Sequence, residues 1–300
     1  MATHFPVLKK EAIDGLNIKK GDVIIDGTLG GGGHTLEIIK EFGKDVKIIG
    51  LDLDSDAIAR TKKLIDSKTA NVDFFTIGFT AMDEVLDETG IHKADKILLD
   101  LGISSFQLEE SGRGFSFLKN EPLLMTMKKD PNEEDTTAKD IVNTWEEETL
   151  SDIIHGFGEE RYARKIAKAI VEARKEKEIK TTFDLVEIVN NACGKYYKKS
   201  KINPATRTFQ ALRIATNNEL INLEEIIKTG FDRLNKEGRM AIITFHSLED
   251  RIVKRAFIKI DKMGIGKVIT KKPIIPTKEE LKINSRSRSA KLRIIEKLSG

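Results

Sequence analysis

The chain has 300 residues, of which 39% are hydrophobic, so it is long enough for one large or two ordinary globular domains. A formal net charge of +3 is too small to indicate a nucleic-acid partner by itself. The single cysteine, Cys193, excludes an internal disulfide bond and a multi-cysteine zinc site, and we expect no metal. Without a membrane-length apolar run or a signal-peptide pattern, we expect a cytoplasmic protein with no membrane partner.

Apolar runs alternate with helical patterns over the first third of the chain. The predicted strands are residues 23–26, 46–52, 72–77 and 96–100. Strands that alternate with helices at this spacing are typical of a parallel α/β sheet.

The strand pattern stops after Asp100 and returns only at residues 239–245. Helices are predicted in between, at residues 138–142, 150–154, 161–178 and 183–192. A further long helix has one apolar face, formed by Leu220, Leu223, Ile227, Phe231 and Leu234. Residues 267–270 and 291–296 are predicted to be the edge strands that complete the sheet.

The first strand ends in Asp26, and four successive glycines, Gly30 to Gly33, follow shortly after it. Glycines at this place let the backbone turn with positive φ and approach a ligand closely. The second strand ends in Asp52, 20 residues after Gly32, at the spacing of an acid that binds the hydroxyls of a ribose. These features predict a ligand that contains adenosine.

The glycine loop discriminates between two adenosine cofactors. A dinucleotide fingerprint would have its third glycine where this chain has Thr35, and Asp26 would repel a pyrophosphate. The pattern Asp26, Gly30, Gly32 resembles instead the first motif of S-adenosylmethionine-dependent methyltransferases. A glycine-rich turn without a ligand is the remaining alternative.

Two residues at predicted strand ends are candidates for catalysis. Ligands of open α/β sheets bind beyond the carboxyl ends of the strands, where this chain has Asp100 and His246. Amino-group methyltransferases place an acidic or amide residue against the nucleophile at the position of Asp100. The alternatives are a helix cap or ion pair for Asp100 and a hydrogen-bonded core residue for His246.

Seven separated motifs resemble one family in the same order. They are His4-Phe5-Pro6-Val7-Leu8, Asp26-Gly27-Thr28 with Gly32-Gly33-His34, Leu98-Leu99-Asp100-Leu101-Gly102, Arg113-Gly114-Phe115-Ser116-Phe117, Gly158-Glu159-Glu160-Arg161, Pro204-Ala205-Thr206-Arg207-Thr208-Phe209-Gln210-Ala211 and residues 245–251. On these motifs the chain resembles the MraW/RsmH family, the S-adenosylmethionine-dependent small-subunit ribosomal RNA (cytosine-N4) methyltransferases of bacteria.

The resemblance implies a fold, a reaction and a cofactor site. The expected fold is a Rossmann-like class I methyltransferase sheet built from residues 1–110 and 208–300, with a helical substrate-recognition domain inserted at 111–207. The expected reaction is methylation of a cytosine N4 in the decoding region of 16S ribosomal RNA, on the free RNA or the assembling subunit. The residues implied to contact S-adenosylmethionine are Gly32, Gly33, His34, Asp52, Phe79, Asp100 and Gln107.

The chain departs from the family pattern at two places. The family usually has Asp-Met-Arg-Met-Asp where this chain has Leu124-Met125-Thr126-Met127-Lys128, so the base and both acids of that pattern are lost together. Asn284-Ser285 replaces Asn-Pro. The first change leaves the role of that loop in activity or RNA binding open.

A short segment of the insert combines cations with tyrosines and has no acid. Its lysines, Lys195, Lys198, Lys199 and Lys201, are predicted to contact RNA phosphates beside Tyr196 and Tyr197, with an ordinary solvated surface as the alternative. Arg113, Phe115 and Phe117 are predicted to clamp the target base, with ordinary packing as the alternative for the two phenylalanines. The competing functions are methylation of a protein or a small molecule, and nucleotide binding without catalysis.

Overall fold

The computed structural model describes residues 6–197 and 202–299. Within these ranges the chain forms seven β-strands and thirteen α-helices. The strands are β1 (Val23–Asp26), β2 (Lys47–Leu51), β3 (Val72–Phe75), β4 (Ala94–Asp100), β5 (Leu234–Thr244), β6 (Gly266–Val268) and β7 (Lys291–Lys297). The helices are α1 (Lys9–Leu16), α2 (Gly33–Phe42), α3 (Ser55–Leu64), α4 (Met82–Glu88), α5 (Ser105–Glu109), α6 (Ala138–Thr144), α7 (Glu147–Gly156), α8 (Ala163–Glu176), α9 (Thr182–Cys193), α10 (Ala205–Asn217), α11 (Glu219–Asp232), α12 (Ser247–Lys262) and α13 (Lys278–Ile283).

The strands form one sheet in the order β3-β2-β1-β4-β5-β7-β6. Strands β1 to β5 pair in parallel, whereas β7 is antiparallel to both of its neighbours. This topology confirms the predicted Rossmann-like α/β sheet of the class I type. None of the helices in the described ranges is long and apolar enough to cross a membrane.

The central strands are buried on both faces because neighbouring residues point to opposite sides of the sheet. Ile25 and Leu99 pack with apolar residues of α4, α11 and α12. On the other face, Ile24 packs with residues of α1 and α2, and Leu98 packs with residues of α1. Helices therefore cover both faces and leave the carboxyl edge of the strands for the loops.

The chain divides into two compact units, one of Met1–Gly102 with Leu220–Gly300 and the other of Ile103–Glu219. The second unit has a core of its own, to which α6 to α10 all contribute. Its bounds are wider than the residues 111–207 assigned to the insert from sequence. The difference arises because α10 buries Phe209 and Leu212 in this core, and α5 also belongs to the unit.

Of the five residues predicted for the apolar face of the long helix, three are buried in it, Leu220 is half-buried in it, and Leu234 lies outside it. Leu223, Ile227 and Phe231 of α11 are buried. Leu234 lies in β5 instead and pairs with Ala94 of β4. It matched the helical period by coincidence, because α11 ends at Asp232 and the chain enters the sheet at once.

Candidate active site

The loop after β1 is held between its two neighbouring strands at the carboxyl edge of the sheet. The Gly27 N–H donates to the Leu98 carbonyl at 2.9 Å, and the Leu29 N–H donates to the Leu51 carbonyl at 2.9 Å. Thr28 Oγ1 accepts a hydrogen bond from the Asp100 N–H at 2.6 Å. These bonds fix the loop against the ends of β2 and β4.

The glycine loop has backbone conformations that favour glycine. Gly30 and Gly32 have φ of 51° and 74°, in the left-handed region. A Cβ on Gly32 would lie 2.5 Å from Thr61 Cγ2, so only glycine fits between the loop and α3. Gly32 is also the N-cap residue of α2, and the Gly33–His34 pair opens that helix.

Asp52 follows β2 and supports the glycine loop directly. Its Oδ2 accepts from the Gly30 N–H at 2.7 Å, and its Oδ1 accepts from the Asp54 N–H at 2.8 Å. Burial raises the pKa of this carboxyl to about 6, against the lowering effect of these two bonds. Each oxygen has a further lone pair for a donor such as a ribose hydroxyl.

Asp26 at the end of β1 is buried and bonded to two threonines that the sequence analysis did not single out. Thr35 Oγ1 donates to Asp26 Oδ2 at 2.6 Å, and the Thr28 N–H donates to Oδ1 at 3.3 Å. Burial raises the pKa of Asp26, while the bond from Thr35 opposes that shift. The position of Thr28 in the loop after the buried acid, and of Thr35 in the first turn of the following helix, was the available signal.

The side chains of His34, at the start of α2, and Asp100, at the end of β4, lie close together at the carboxyl edge of the sheet. His34 Nε2 lies 3.4 Å from Asp100 Oδ2, and the side chains are 6% and 17% exposed. Neither ring nitrogen of His34 nor Asp100 Oδ1 has a hydrogen-bond partner among the described residues. Burial alone would lower the pKa of His34, but the Asp100 carboxylate outweighs it and the pKa is raised. Such unpartnered buried polar atoms are typical of a site built to hold a ligand.

Phe79 lies beside the same loop, and Gln107 belongs to the other unit. A Cβ on Gly27 would be 3.2 Å from Phe79 Cβ, which places the phenylalanine next to the end of β1. Gln107 is buried, and its Oε1 accepts from the Ser104 N–H at 2.9 Å in the capping box of α5. Six of the seven residues implied for the cofactor therefore lie in the sheet unit, at its carboxyl edge.

His246 has a structural role that its sequence position did not reveal. It is the N-cap residue of α12, and its Nδ1 accepts from the Glu249 N–H at 3.4 Å. Glu249 completes a capping box by accepting from the Phe245 N–H at 2.8 Å and the His246 N–H at 3.3 Å. The alternative of a hydrogen-bonded structural histidine thus has direct support, and a catalytic role for His246 stays a prediction.

Arg113 and Phe115 are buried inside the insert, each about 6% exposed. Arg113 Nη1 donates to the carbonyls of Thr126 and Met127 at 3.2 and 2.7 Å. Phe115 is part of the apolar core of the unit. The packing alternative therefore applies to Phe115, and we assign neither residue a contact with RNA.

The loop that departs from the family pattern is tied into the same unit. Met125 is buried, and Asn217 of α10 donates to its carbonyl at 2.8 Å. Lys128 Nζ lies 2.5 Å from Asp135 Oδ1, and this lysine lowers the pKa of Asp135. Of the changed residues, Thr126 is buried and its carbonyl accepts a hydrogen bond from Arg113, and Lys128 pairs with Asp135.

A group of tyrosines and cations lies on the insert, and we call it the tyrosine–lysine cluster: Arg161, Tyr162, Lys165, Lys195 and Tyr196. Tyr162 is half-buried against the core of the insert, and the other four residues are exposed. The rings of Tyr162 and Tyr196 are stacked with centroids 4.5 Å apart. Lys165 Nζ lies 4.4 Å from the Tyr196 centroid and donates to its hydroxyl at 2.6 Å, which lowers the pKa of that hydroxyl.

The other cations of the cluster also lie over its rings. Lys195 is 5.2 Å from the Tyr196 centroid, and the guanidinium of Arg161 is 4.7 Å from that of Tyr162. Of the four lysines predicted to contact RNA, only Lys195 can be placed here. Lys198, Lys199 and Lys201 lie outside the described residues.

Comparison with known proteins identifies the family. A family model described as the MraW methylase family matches residues 1–298. A Clostridium botulinum (strain Kyoto / Type A2) protein named ribosomal RNA small subunit methyltransferase H is 47% identical, over 98% of this chain and 99% of its own length. A Lachnospira eligens protein of the same name is 46% identical, over 98% of this chain and 98% of its own length. Among solved structures, an rRNA methylase from Streptococcus thermophilus aligns with a TM-score of 0.45 at 12% identity, covering 97% of this chain and 94% of that one.

The residues at the sheet edge fit the cofactor that a methylase requires. The glycine loop gives close backbone access, Asp52 offers acceptors for ribose hydroxyls, and Asp26 and Asp100 place acids where a sulfonium cation and an amino group are favoured. The methyl donor is S-adenosylmethionine. The chain belongs to the MraW methylase family, and it is an S-adenosylmethionine-dependent methyltransferase.

Proposed function

We propose that this protein transfers a methyl group from S-adenosylmethionine to the N4 amino group of a cytosine in the decoding region of 16S ribosomal RNA. Two kinds of support lead to this substrate. The relatives are named as methyltransferases of small-subunit ribosomal RNA, and the motifs of this chain resemble those of cytosine-N4 enzymes. The observation that carries the reaction type is the Asp100 carboxylate at the end of β4, with Oδ1 unpartnered among the described residues.

The amino group of cytosine is a poor nucleophile because its lone pair is delocalised into the ring. Asp100 Oδ1 is free to accept a hydrogen bond from N4–H, which localises that lone pair on nitrogen. The N4 proton becomes acidic as the nitrogen gains its new bond, and it passes to Asp100 late in the step. His34 Nε2 lies 3.4 Å from the other carboxylate oxygen, so the protonated ring forms an ion pair that positions Asp100 for this transfer.

The donor site orients the methyl group toward the N4 atom of the cytosine. When bound, S-adenosylmethionine supplies a methyl group on a sulfonium sulfur, which keeps the bonding electron pair as the nitrogen–carbon bond forms. Gly32, Gly33 and Asp52 would hold the donor, and Phe79 would cover its adenine. Well-oriented reacting groups lower a barrier by up to about 7–11 kcal/mol. We therefore propose that alignment of the methyl group with N4 contributes more to the rate than proton transfer to Asp100 does.

The target cytosine must be unstacked before it reaches Asp100, which favours a single-stranded or splayed nucleotide. We propose that the tyrosine–lysine cluster contacts the RNA. Exposed cations beside stacked rings suit phosphates and unpaired bases together.

The test uses ribosomal RNA from cells that lack this enzyme, supplied either free or in assembled small subunits. Incubation with the protein and methyl-labelled donor, digestion to nucleosides and mass spectrometry should give N4-methylcytidine from at least one form. Labelled 5-methylcytidine, or label only in protein, would contradict the proposal.

The matched variant is Asp100→Asn, which keeps the shape of the side chain and removes its charge. Single-turnover methyl transfer at saturating donor should fall at least about a hundredfold, the usual range for a positioned acid or base. Donor binding is measured separately by calorimetry because Asp100 is also implied at the cofactor. Near-normal transfer in this variant would exclude Asp100 as the proton acceptor.

A further inference from the structure

One segment near the end of the sheet unit is strongly basic. Residues 271–291, which we call the basic strap, contain seven Lys or Arg residues and two Glu residues, a net charge of +5. The whole chain has a net charge of only +3. A local excess of this size is typical of a surface that binds a polyanion.

The basic strap is anchored to the sheet unit at several points. Ile274 exchanges two backbone hydrogen bonds with Leu292 of β7, at 3.0 and 2.9 Å. Glu280 Oε1 accepts from the Leu8 N–H at 2.9 Å, so one of the two acids of the strap is used internally. Ser285–Ser289 forms a 3-10 helix that leads into β7.

A cavity of about 290 Å³ lies between the basic strap and the end of β5. Its walls combine apolar residues with two cations, a histidine and no acid: Phe245, His246, Ile275, Pro276, Leu281, Arg288 and Lys291 are among the lining residues. Ile275 is 63% exposed although it is a large apolar residue. An apolar wall beside a cation fits a nucleotide, whose base stacks and whose phosphate is anionic.

The cavity is next to the proposed reaction centre. Strand β5 neighbours β4, and the Leu101 N–H, one residue after Asp100, donates to the Ile243 carbonyl at 3.0 Å. A Cβ on Gly102 would lie 3.4 Å from Phe245 Cδ2, so the Phe245 ring that lines the cavity lies next to the segment that follows Asp100. A nucleotide bound here would be a near neighbour of the base at Asp100.

Arg288 is the cation of the cavity that is available for a phosphate. Its side chain has no ion-pair partner within residues 6–197 and 202–299, and the residue is exposed. Lys291 also lines the cavity, but its Nζ is 2.9 Å from Asp250 Oδ2 and so is already paired.

We propose that the cavity and the basic strap bind a nucleotide that flanks the target cytosine in single-stranded RNA. This inference rests on the proposed RNA substrate. The flanking base lies against Phe245 and Ile275, and its phosphate contacts Arg288. The strap thus guides the strand past Asp100 and contributes to selection of the target.

The test measures binding of a fluorescein-labelled 12-nucleotide RNA with one central cytosine, by anisotropy over a range of salt concentrations. The variant is Arg288→Ala with Ile275→Asn. Its control is Lys44→Ala with Ile221→Asn, a similar loss of one exposed cation and one exposed isoleucine away from the cavity. The variant should bind RNA about tenfold more weakly, with a salt slope smaller by about 0.7, whereas the control should match the wild type.

Thermal unfolding and donor calorimetry on both proteins separate a binding effect from misfolding. Equal RNA affinity of variant, control and wild type would overturn the inference, even where the wild type methylates ribosomal RNA. If the wild type methylates no ribosomal RNA, the proposed function fails, and this result is independent of the anisotropy comparison.

A second experiment maps the position of the flanking nucleotide. With 4-thiouridine next to the cytosine in the RNA, crosslinks should map to residues 245 and 271–291. Crosslinks confined to other segments would also overturn the inference that the cavity binds this nucleotide.

Discussion

At the scale of single residues, Asp52 combines a ligand-binding position with a pKa raised from 3.8 to about 6 by burial. A carboxyl group with a raised pKa binds its proton more tightly in the folded than in the unfolded state. Its contribution therefore makes the protein more stable at low pH and is lost as the pH rises from about 4 to about 6. The same ionisation controls how well Asp52 accepts hydrogen bonds.

We expect the affinity for S-adenosylmethionine to increase as the pH rises through about 6, because the ionised carboxylate accepts ribose hydroxyl bonds better than the protonated acid. Calorimetric titrations between pH 5 and 7.5 check this for the wild type. Asp52→Asn should bind more weakly at pH 7.5, by about 1.5–3 kcal/mol, and should lose most of the pH dependence. An unchanged pH slope in the variant would assign the titration to another group, such as Asp26 or His34.

At the scale of elements, His246 has a structural role as the N-cap residue of α12. The capping box of His246 and Glu249 satisfies backbone N–H groups in the first turn of α12. His246→Ala should reduce the free energy of unfolding by about 1 kcal/mol, and His246→Asn should restore most of it because asparagine is a favourable N-cap residue. Chemical denaturation of the three proteins measures this.

The rate of methyl transfer in His246→Asn then separates the two roles of this residue. A lower rate at unchanged stability would support the predicted catalytic role. An unchanged rate would leave the helix cap as its function.

At the scale of the whole molecule, the protein consists of two units, each with a hydrophobic core of its own. The donor residues at the sheet edge are in one unit and the tyrosine–lysine cluster is in the other. Changes in the cluster should therefore affect RNA binding without affecting donor binding.

We expect Lys165→Ala with Lys195→Ala to weaken RNA binding and to lower the salt slope by up to about 0.7 per lost phosphate contact. Calorimetry with S-adenosylmethionine should give the wild-type affinity. The control is Lys20→Ala with Lys47→Ala, because these lysines lie in the sheet unit and pair with Asp45 and Asp73. A wild-type salt slope in the cluster variant would show that this surface does not contact the RNA.

Much of the sheet was predictable because its signals are local. Strand β1 has the predicted bounds, and the acids that end β1 and β4 were recognised from apolar runs that stop at a carboxylate. Leu234 was misassigned because one apolar residue fits both a helical period and a strand, and only pairing with Ala94 decides between them. The burial of Arg113 was not predictable, since it depends on carbonyls of residues 126 and 127 that a separate loop brings to it.

The sequence by itself determined the order of the strands along the chain, the glycine loop, the acids at the strand ends and the resemblance to a family. These features depend on residue type and short spacing, which local sterics and hydrophobic burial translate into structure. Only the tertiary structure decided that His34 lies 3.4 Å from Asp100, that His246 caps a helix and that the basic strap borders a cavity beside β5. Each of these depends on contacts between segments far apart in the chain, and such contacts form only when the core has packed.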